Sequence, residues 1–213
     1  MGELRRSSQV RQVELIDAAL HIIATKGIAA LSTRSLAEQV GLSTGAIFRH
    51  FATLQDLLEA VVARVEVVLD VSYPPADLPP LERLERFIEA RTRVVGDQLG
   101  ILRLVVSEQF LLALPARGSE RLSACVNKSR AFIVECLRDA QATGAVRGDL
   151  APDVLAPIVM GTMQMLALSR SSAKQRASES QRVRDALSIL LRPASAAPAR
   201  PARRVAPRRG EHR

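Results

Sequence analysis

Along most of this chain apolar residues recur at steps of three and four, and no stretch alternates with the two-residue period of a half-buried strand. The first such run sets Leu15, Ile16, Ala19, Leu20 and Ile23 on one side of a helix over 13–26, and Gly27 closes it. Leu36, Ala37 and Val40 form one face over 33–40, and Ile47 and Phe51 lie inside a segment at 44–51. Leu57, Leu58, Val61, Val65 and Val68 carry helical spacing from Leu54 to Val71. Four prolines in SYPPADLPP, 72–80, then forbid a helix interior and mark the clearest boundary. Beyond it Leu84, Phe87, Ile88, Arg91 and Val95 mark the inner face of a helix over 81–99, which Gly100 breaks. Further helices are predicted over 101–114 (ending at Pro115), 120–143 (stopped by Gly144 and Gly148), 152–168 and 179–191.

Within this series the segments 33–40 and 44–51 stand apart because the turn between them is so short. Gly41 falls where the chain must pass through a left-handed conformation, which glycine adopts without steric penalty. Leu42 fills the corner. Ser43 is a good N-cap, its hydroxyl placed to accept from the free N–H groups of the next turn. With Ile47 and Phe51 inside, Thr44, Gly45, Phe48, Arg49 and His50 are left on or near the outside. A small Ala37 where the second helix crosses, Gly41 four residues on and Ile47 six after that make a helix-turn-helix.

From Glu14 to Val61, ELIDAALHIIATKGIAALSTRSLAEQVGLSTGAIFRHFATLQDLLEAV, the chain resembles the TetR/AcrR family of bacterial transcription regulators. The resemblance implies that the second motif helix enters the major groove and that helix ends grip phosphates. It puts Thr33 and Arg34 at the start of the first motif helix, and Thr44, Phe48, Arg49 and His50 on the reading helix, beside Ser43 and Gly45. Two positions depart from the family pattern. Phe48 stands where tyrosine is usual, without the hydroxyl for a phosphate, and Leu54 stands where lysine is usual. The resemblance also implies a homodimer, and so does the size of one reading helix. Two copies related by a two-fold axis read a palindrome with half-sites about 34–36 Å apart or a multiple of that.

Composition refines this picture more than it changes it. Of 213 residues 47% are hydrophobic and 3% aromatic, with no tryptophan, and alanine, leucine, valine and arginine favour helix. The net charge of +8 invites a nucleic-acid reading, but its location does not support one. Seven arginines from Arg192 onward stand against Glu211 alone, so +6 belongs to the tail and +2 to the preceding 191 residues. The tail, 192–213, is alanine, proline and arginine with almost nothing to bury, and reads as disordered. A solubilising terminus and a sequence-independent hold on DNA are both open for it. Residues 1–12 read as a flexible basic arm. Cys125 and Cys136 lie on one predicted helix about 16 Å apart, too far to bridge, and are expected to be reduced, packed thiols in a cytoplasmic protein. No apolar run approaches the about 20 residues of a membrane span, so no membrane partner is expected.

Enzyme chemistry finds no footing. His21, His50 and His212 occupy unrelated settings without a second ligand at metal spacing, and there is no phosphate loop and no nucleophile–base–orienter set. Neither a metal nor a cofactor is expected. The sequence therefore predicts an all-α protein in five parts. A basic arm (1–12) leads to a three-helix DNA-binding head (13–53), a connecting helix (54–71), a helical ligand-binding and dimerisation body (72–191), and the tail (192–213). Candidate ligand residues are Arg103, Glu108, Gln109 and Phe110 in one apolar helix and Met160, Met163 and Gln164 in another. Methionines at helical spacing serve equally as core or as a reshapeable lining. Leu155, Val159, Thr162 and Leu166, with Val183, Leu187 and Leu190, supply two stripes for a dimer bundle. The expected function is a palindrome-binding repressor released by a small apolar or amphipathic effector. The competing class is a DNA-binding architectural or partner-interaction protein with no small ligand.

Overall fold

A computed structural model describes residues 8–97, 108–168 and 173–193, among which there are nine α-helices and no strand. They are α1 (Ser8–Lys26), α2 (Thr33–Val40), α3 (Thr44–Phe48), α4 (Leu54–Asp70), α5 (Pro80–Asp97), α6 (Glu108–Ala113), α7 (Ala116–Ala142), α8 (Pro152–Leu168) and α9 (Ala173–Leu191). A single 3-10 turn, Ile28–Ala30, links α1 to α2. Residues 1–7 and 194–213, the ends of the predicted arm and tail, lie outside the described residues, and so does Arg103.

The apolar residues gather in two clusters that meet along α4, α5 and α7. The first holds the inner faces of α1 to α3 (Leu15, Ile22, Leu36, Ile47) against α4, and continues through Phe110 and Leu114 to Leu122 of α7. The second fills the body with Leu84, Phe87 and Ile88 of α5, Ile133, Cys136 and Leu137 of α7, Leu155 and Val159 of α8, and Leu187 and Leu191 of α9. Burying each such side chain contributes about 1.5–3 kcal/mol. Helix α4 therefore belongs to head and body alike. Its outer edge adds ion pairs on both sides: Arg64 Nε with Asp17 of α1 at 4.0 Å, Arg121 Nε with Glu66 at 3.0 Å, and Lys128 Nζ with Asp70 at 2.7 Å.

Several boundaries differ from those read in the sequence. Residues 8–12, assigned to the flexible arm, are the first turns of α1, because Gln12 Nε2 donates to the carbonyl of His50 at 3.1 Å. Helix α3 ends at Phe48 rather than 51, since Arg49 and His50 turn the chain to bury Phe51. Helix α7 begins at Ala116, four residues early, directly after the N-cap Pro115, whose φ of -54 suits that start. Helix α9 begins at Ala173 rather than 179. Its far end is held by the 143–151 loop, where the Arg147 amide donates to the carbonyl of Leu191 at 2.8 Å.

The stripes assigned to the dimer divide in two. Leu155, Val159 and Leu187 are 3%, 0% and 4% exposed and belong to the body's own core, so they do not face outward. Cys136 shares that core, and burial pushes its thiol up to about 11, so it stays protonated and packed. Leu187→Glu consequently acts on folding. An unpaired carboxylate there costs about 3 kcal/mol or more, which lowers the melting midpoint by about 6–12 °C for a chain of this length. A thermal melt indistinguishable from that of the unsubstituted protein would contradict this placement.

Candidate nucleic-acid interface

Three hydroxyl caps build the helix-turn-helix. Ser32 starts α2 with a capping box: its Oγ accepts from the Ser35 amide at 3.0 Å, and its own amide donates to Ser35 Oγ at 3.0 Å. Gly41 ends α2 with φ 66, and the Leu42 amide turns back to the Ala37 carbonyl at 3.0 Å. Ser43 Oγ accepts from the Ala46 amide at 3.2 Å and starts α3. A second capping box, Thr53 with Asp56, starts α4. With the starts of α2, α3 and α4 satisfied locally, Leu36, Ala37, Ala46 and Ile47 are free to turn inward and are buried.

The opposite side is exposed. Ser43, Thr44, Gly45, Phe48 and Arg49 all face solvent, and Phe48 is 49% exposed, a large ring half open to solvent. A Cβ built on Gly45 meets nothing within 4 Å, so this point of the surface is bare backbone open to close approach. Thr33 is half-buried at the start of α2 beside the fully displayed Arg34. The two nearby arginines differ: Arg34 pairs with Glu38 at 3.2 Å, whereas no ion pair holds Arg49 among the described residues. His50 is half-buried and engaged with α1, its Nδ1 lying 3.4 Å from Ser8 Oγ and its carbonyl taken by Gln12. It braces the turn instead of standing on the reading face. Gln39, exposed near the end of α2, borders the same surface and was not singled out in the sequence. Its exposed register one residue before Val40 was the available signal.

The candidate ligand residues do not converge. Phe110 is 1% exposed in the head-side cluster, while Met163, 7% exposed, and the half-buried Met160 pack in the body cluster. Gln164 is half-buried on α8, and Glu108 and Gln109 open α6. The methionines thus serve as core. A different polar group lies between the two clusters. Arg91, 7% exposed, has its guanidinium 4.8 Å from the Phe87 ring and 5.4 Å from the Tyr73 ring, and its Nη2 donates to Ser129 Oγ at 3.1 Å. Burial holds its pKa below the ordinary arginine value, partly offset by Tyr73. The sequence signal was present, an arginine three and four residues past Ile88 and Phe87 on an otherwise apolar stripe.

The remaining dimer candidates lie on the far side of the body. Leu190 is 60% exposed, Thr162 and Val183 are half-buried, and Leu166 is 5% exposed. Thr162, Leu166 and Val183 border an open groove of about 640 Å³ between α8 and α9, together with Ile158, Gly161 and Met165. Gly161, expected to permit close helix packing, meets nothing within 4 Å where its Cβ would be, so among the described residues nothing is packed against it. Among the described residues no group of His, Cys, Asp and Glu side chains is arranged to hold a metal, and no helix is long and apolar enough to cross a membrane.

Residues 15–61, from the buried Leu15 to the middle of α4, match the bacterial regulatory proteins of the tetR family. The nucleoid occlusion factor SlmA of Vibrio vulnificus is 28% identical over 130 residues, 61% of this chain and 58% of that protein, so the match spans less than two thirds of that relative. The ketosteroid transcriptional regulator KstR2 of Mycobacterium tuberculosis superposes with a TM-score of 0.77 at 19% identity, covering 91% of this chain and 98% of that one. AibR, solved in complex with isovaleryl coenzyme A and operator DNA, superposes with a TM-score of 0.70 at 16% identity over 86% of this chain and 100% of that one. Residues 15–61 thus carry a helix-turn-helix head like that of the bacterial tetR-family regulatory proteins, and the chain has the helical fold of these solved neighbours.

Proposed function

We propose that this protein is a homodimeric repressor that binds a palindromic operator and is released when its body takes up a small apolar or amphipathic ligand. The observation that carries the DNA half is the outer face of α3, where Thr44, Gly45, Phe48 and the unpaired Arg49 are exposed together. Arg49 grips phosphate or a base edge, Thr44 and Ser43 add hydroxyls, and the bare Gly45 lets the start of α3 lie close to the duplex. Thr33 and Arg34 reach flanking phosphates.

A second copy is the occupant of the apolar face on α8 and α9. Val154, Ile158 and Met165 on α8 are 53%, 49% and 68% exposed, and Ile189 and Leu190 on α9 are 63% and 60% exposed. Steps of four and seven put Val154, Ile158 and Met165 on one side of α8, and the uncovered Gly161 between them lets a partner helix approach. Release follows from linkage: a ligand that favours a conformer with displaced reading helices weakens DNA binding by the factor by which DNA weakens the ligand. A neighbour of this fold holding both a coenzyme A thioester and operator DNA supports that pairing. The packed methionines favour the second reading, a DNA-binding protein whose body is only a dimer and partner surface, as the similarity to SlmA also would. The buried Arg91 favours the first.

Arg49→Ala leaves the fold intact and weakens binding to all duplexes by a similar factor if it anchors phosphate, with the log–log salt slope shallower by about 1. Fluorescence anisotropy over a salt series measures this, and unchanged affinity in the folded variant contradicts the orientation of α3 on DNA. Ile189→Glu leaves the helical content unchanged and yields a monomer at micromolar concentration that no longer prefers a palindrome. Sedimentation of this variant as an intact dimer moves the interface to another face.

A further inference from the structure

Three of the chain's six aromatic residues, Tyr73, Phe87 and Phe132, meet where α4 ends between α5 and α7, with ring centroids 4.8–5.2 Å apart. Arg91 stands against this group at the break between the two apolar clusters. On α7 the stripe Leu122, Cys125, Ser129, Ile133 runs from one cluster to the other, and Ser129 interrupts it opposite Arg91. Ser129 is fully used: its Oγ donates to the Cys125 carbonyl at 3.0 Å, accepts from Arg91 Nη2, and lies 3.3 Å from the Tyr73 hydroxyl. Arg91 is not. Its Nη2 donates to Ser129 and the Tyr73 hydroxyl lies beside it, but its Nε is buried with no acceptor, and among the described residues no carboxylate pairs with it. The nearby carboxylate, Asp70, is held by Lys128 at 2.7 Å, and Lys128 itself lies 4.8 Å from the Tyr73 ring.

A guanidinium in such a place is costly, because the hydration lost on burying an ion exceeds what two ring contacts return. Methionine or leucine would fill the same volume without that penalty. What arginine adds is charge and a planar fork of donors. Counting Arg91, Lys128 and Asp70, the group carries a net +1 with one cation unpaired. That matches a monoanion and not a phosphate dianion. Resting on the ligand-controlled reading above, we infer that Arg91 is the headgroup anchor of the effector site and that the effector is a carboxylate with an apolar body. Tyr73 and Phe87 flank the anchor, and the carboxylate accepts from the guanidinium Nε that has no other acceptor.

The test uses the full-length protein and three probes with one tail, decanoate, decanol and decyl phosphate, titrated calorimetrically and, in parallel, against the protein–DNA complex. Decanoate binds about tenfold or more tightly than decanol, a charge-assisted hydrogen bond's worth of discrimination, and releases DNA. In Arg91→Gln the ratio between the two probes collapses toward 1, while Arg91→Lys, which keeps the charge but not the fork, retains part of it, a pattern that a purely structural arginine would not produce. The headgroup series on the unsubstituted protein decides the matter even where a variant fails to fold. Equal binding of decanoate and decanol overturns the anchor and leaves a ligand-controlled regulator standing. Preference for decyl phosphate overturns the carboxylate assignment. Binding of none of the three overturns the site and removes the support Arg91 lends to ligand control.

Discussion

Everything in this molecule depends on burying α4 from two sides at once. Leu57, Leu58, Val61, Val62, Val65, Val68 and Leu69 are all buried, too many for one narrow stripe, and they divide between the head helices and the α6–α7 side of the body. Close-packed cores transmit displacement instead of absorbing it. A shift of α4 therefore carries the head with it, and the caps at Ser43 and Thr53 fix α3 relative to the start of α4. Glu66 and Asp70, in the last two turns of α4, are tied to Arg121 and Lys128 on α7. Lys128 adjoins Ser129, the residue that holds Arg91. The polar break in the core and α3 are thus joined through one helix, a physical route by which events in the body reach the candidate nucleic-acid interface.

Charge is used sparingly in the folded part. Among the described residues nine cations are matched in ion pairs, among them Arg11 with Glu14, Arg34 with Glu38, Arg86 with Glu82, Arg93 with Glu89 and Arg147 with Asp149. Exposed pairs like these contribute little stability. Among the described residues Arg49, exposed at the end of α3, and Arg91, in the interior, have no such partner. The high net charge says nothing of either, since it resides almost wholly in residues 192–213.

The head was legible because its signals are local. Gly41 at φ 66, the hydroxyl caps and the four-residue spacing of Leu36 to Val40 each act within one or two turns, so reading them in order reproduces α2, the turn and α3. The body was less legible because its information is relational. Helix α8 is apolar nearly all round, so its periodicity carries no sign of which side turns inward, and Leu155 and Val159 were assigned to the wrong side. On α9, Leu187 and Ile189 are two residues apart and equally apolar, yet one is core and the other exposed. Phe110 and Met163 are separated by α7, so no spacing rule could place them in different clusters. Arg91 was readable as a position on an inner face, but its lack of a carboxylate partner required the fold.

The account rests on a symmetric pair of α3 helices reading DNA, and selection of bound duplexes from a random pool by the full-length protein tests this most directly. It predicts recovery of an inverted repeat whose half-site centres lie about 10–10.5 base pairs apart or a multiple of that, with enrichment surviving a salt concentration that abolishes binding to the starting pool. Recovery of no common sequence, or of a single unrepeated site, would contradict it.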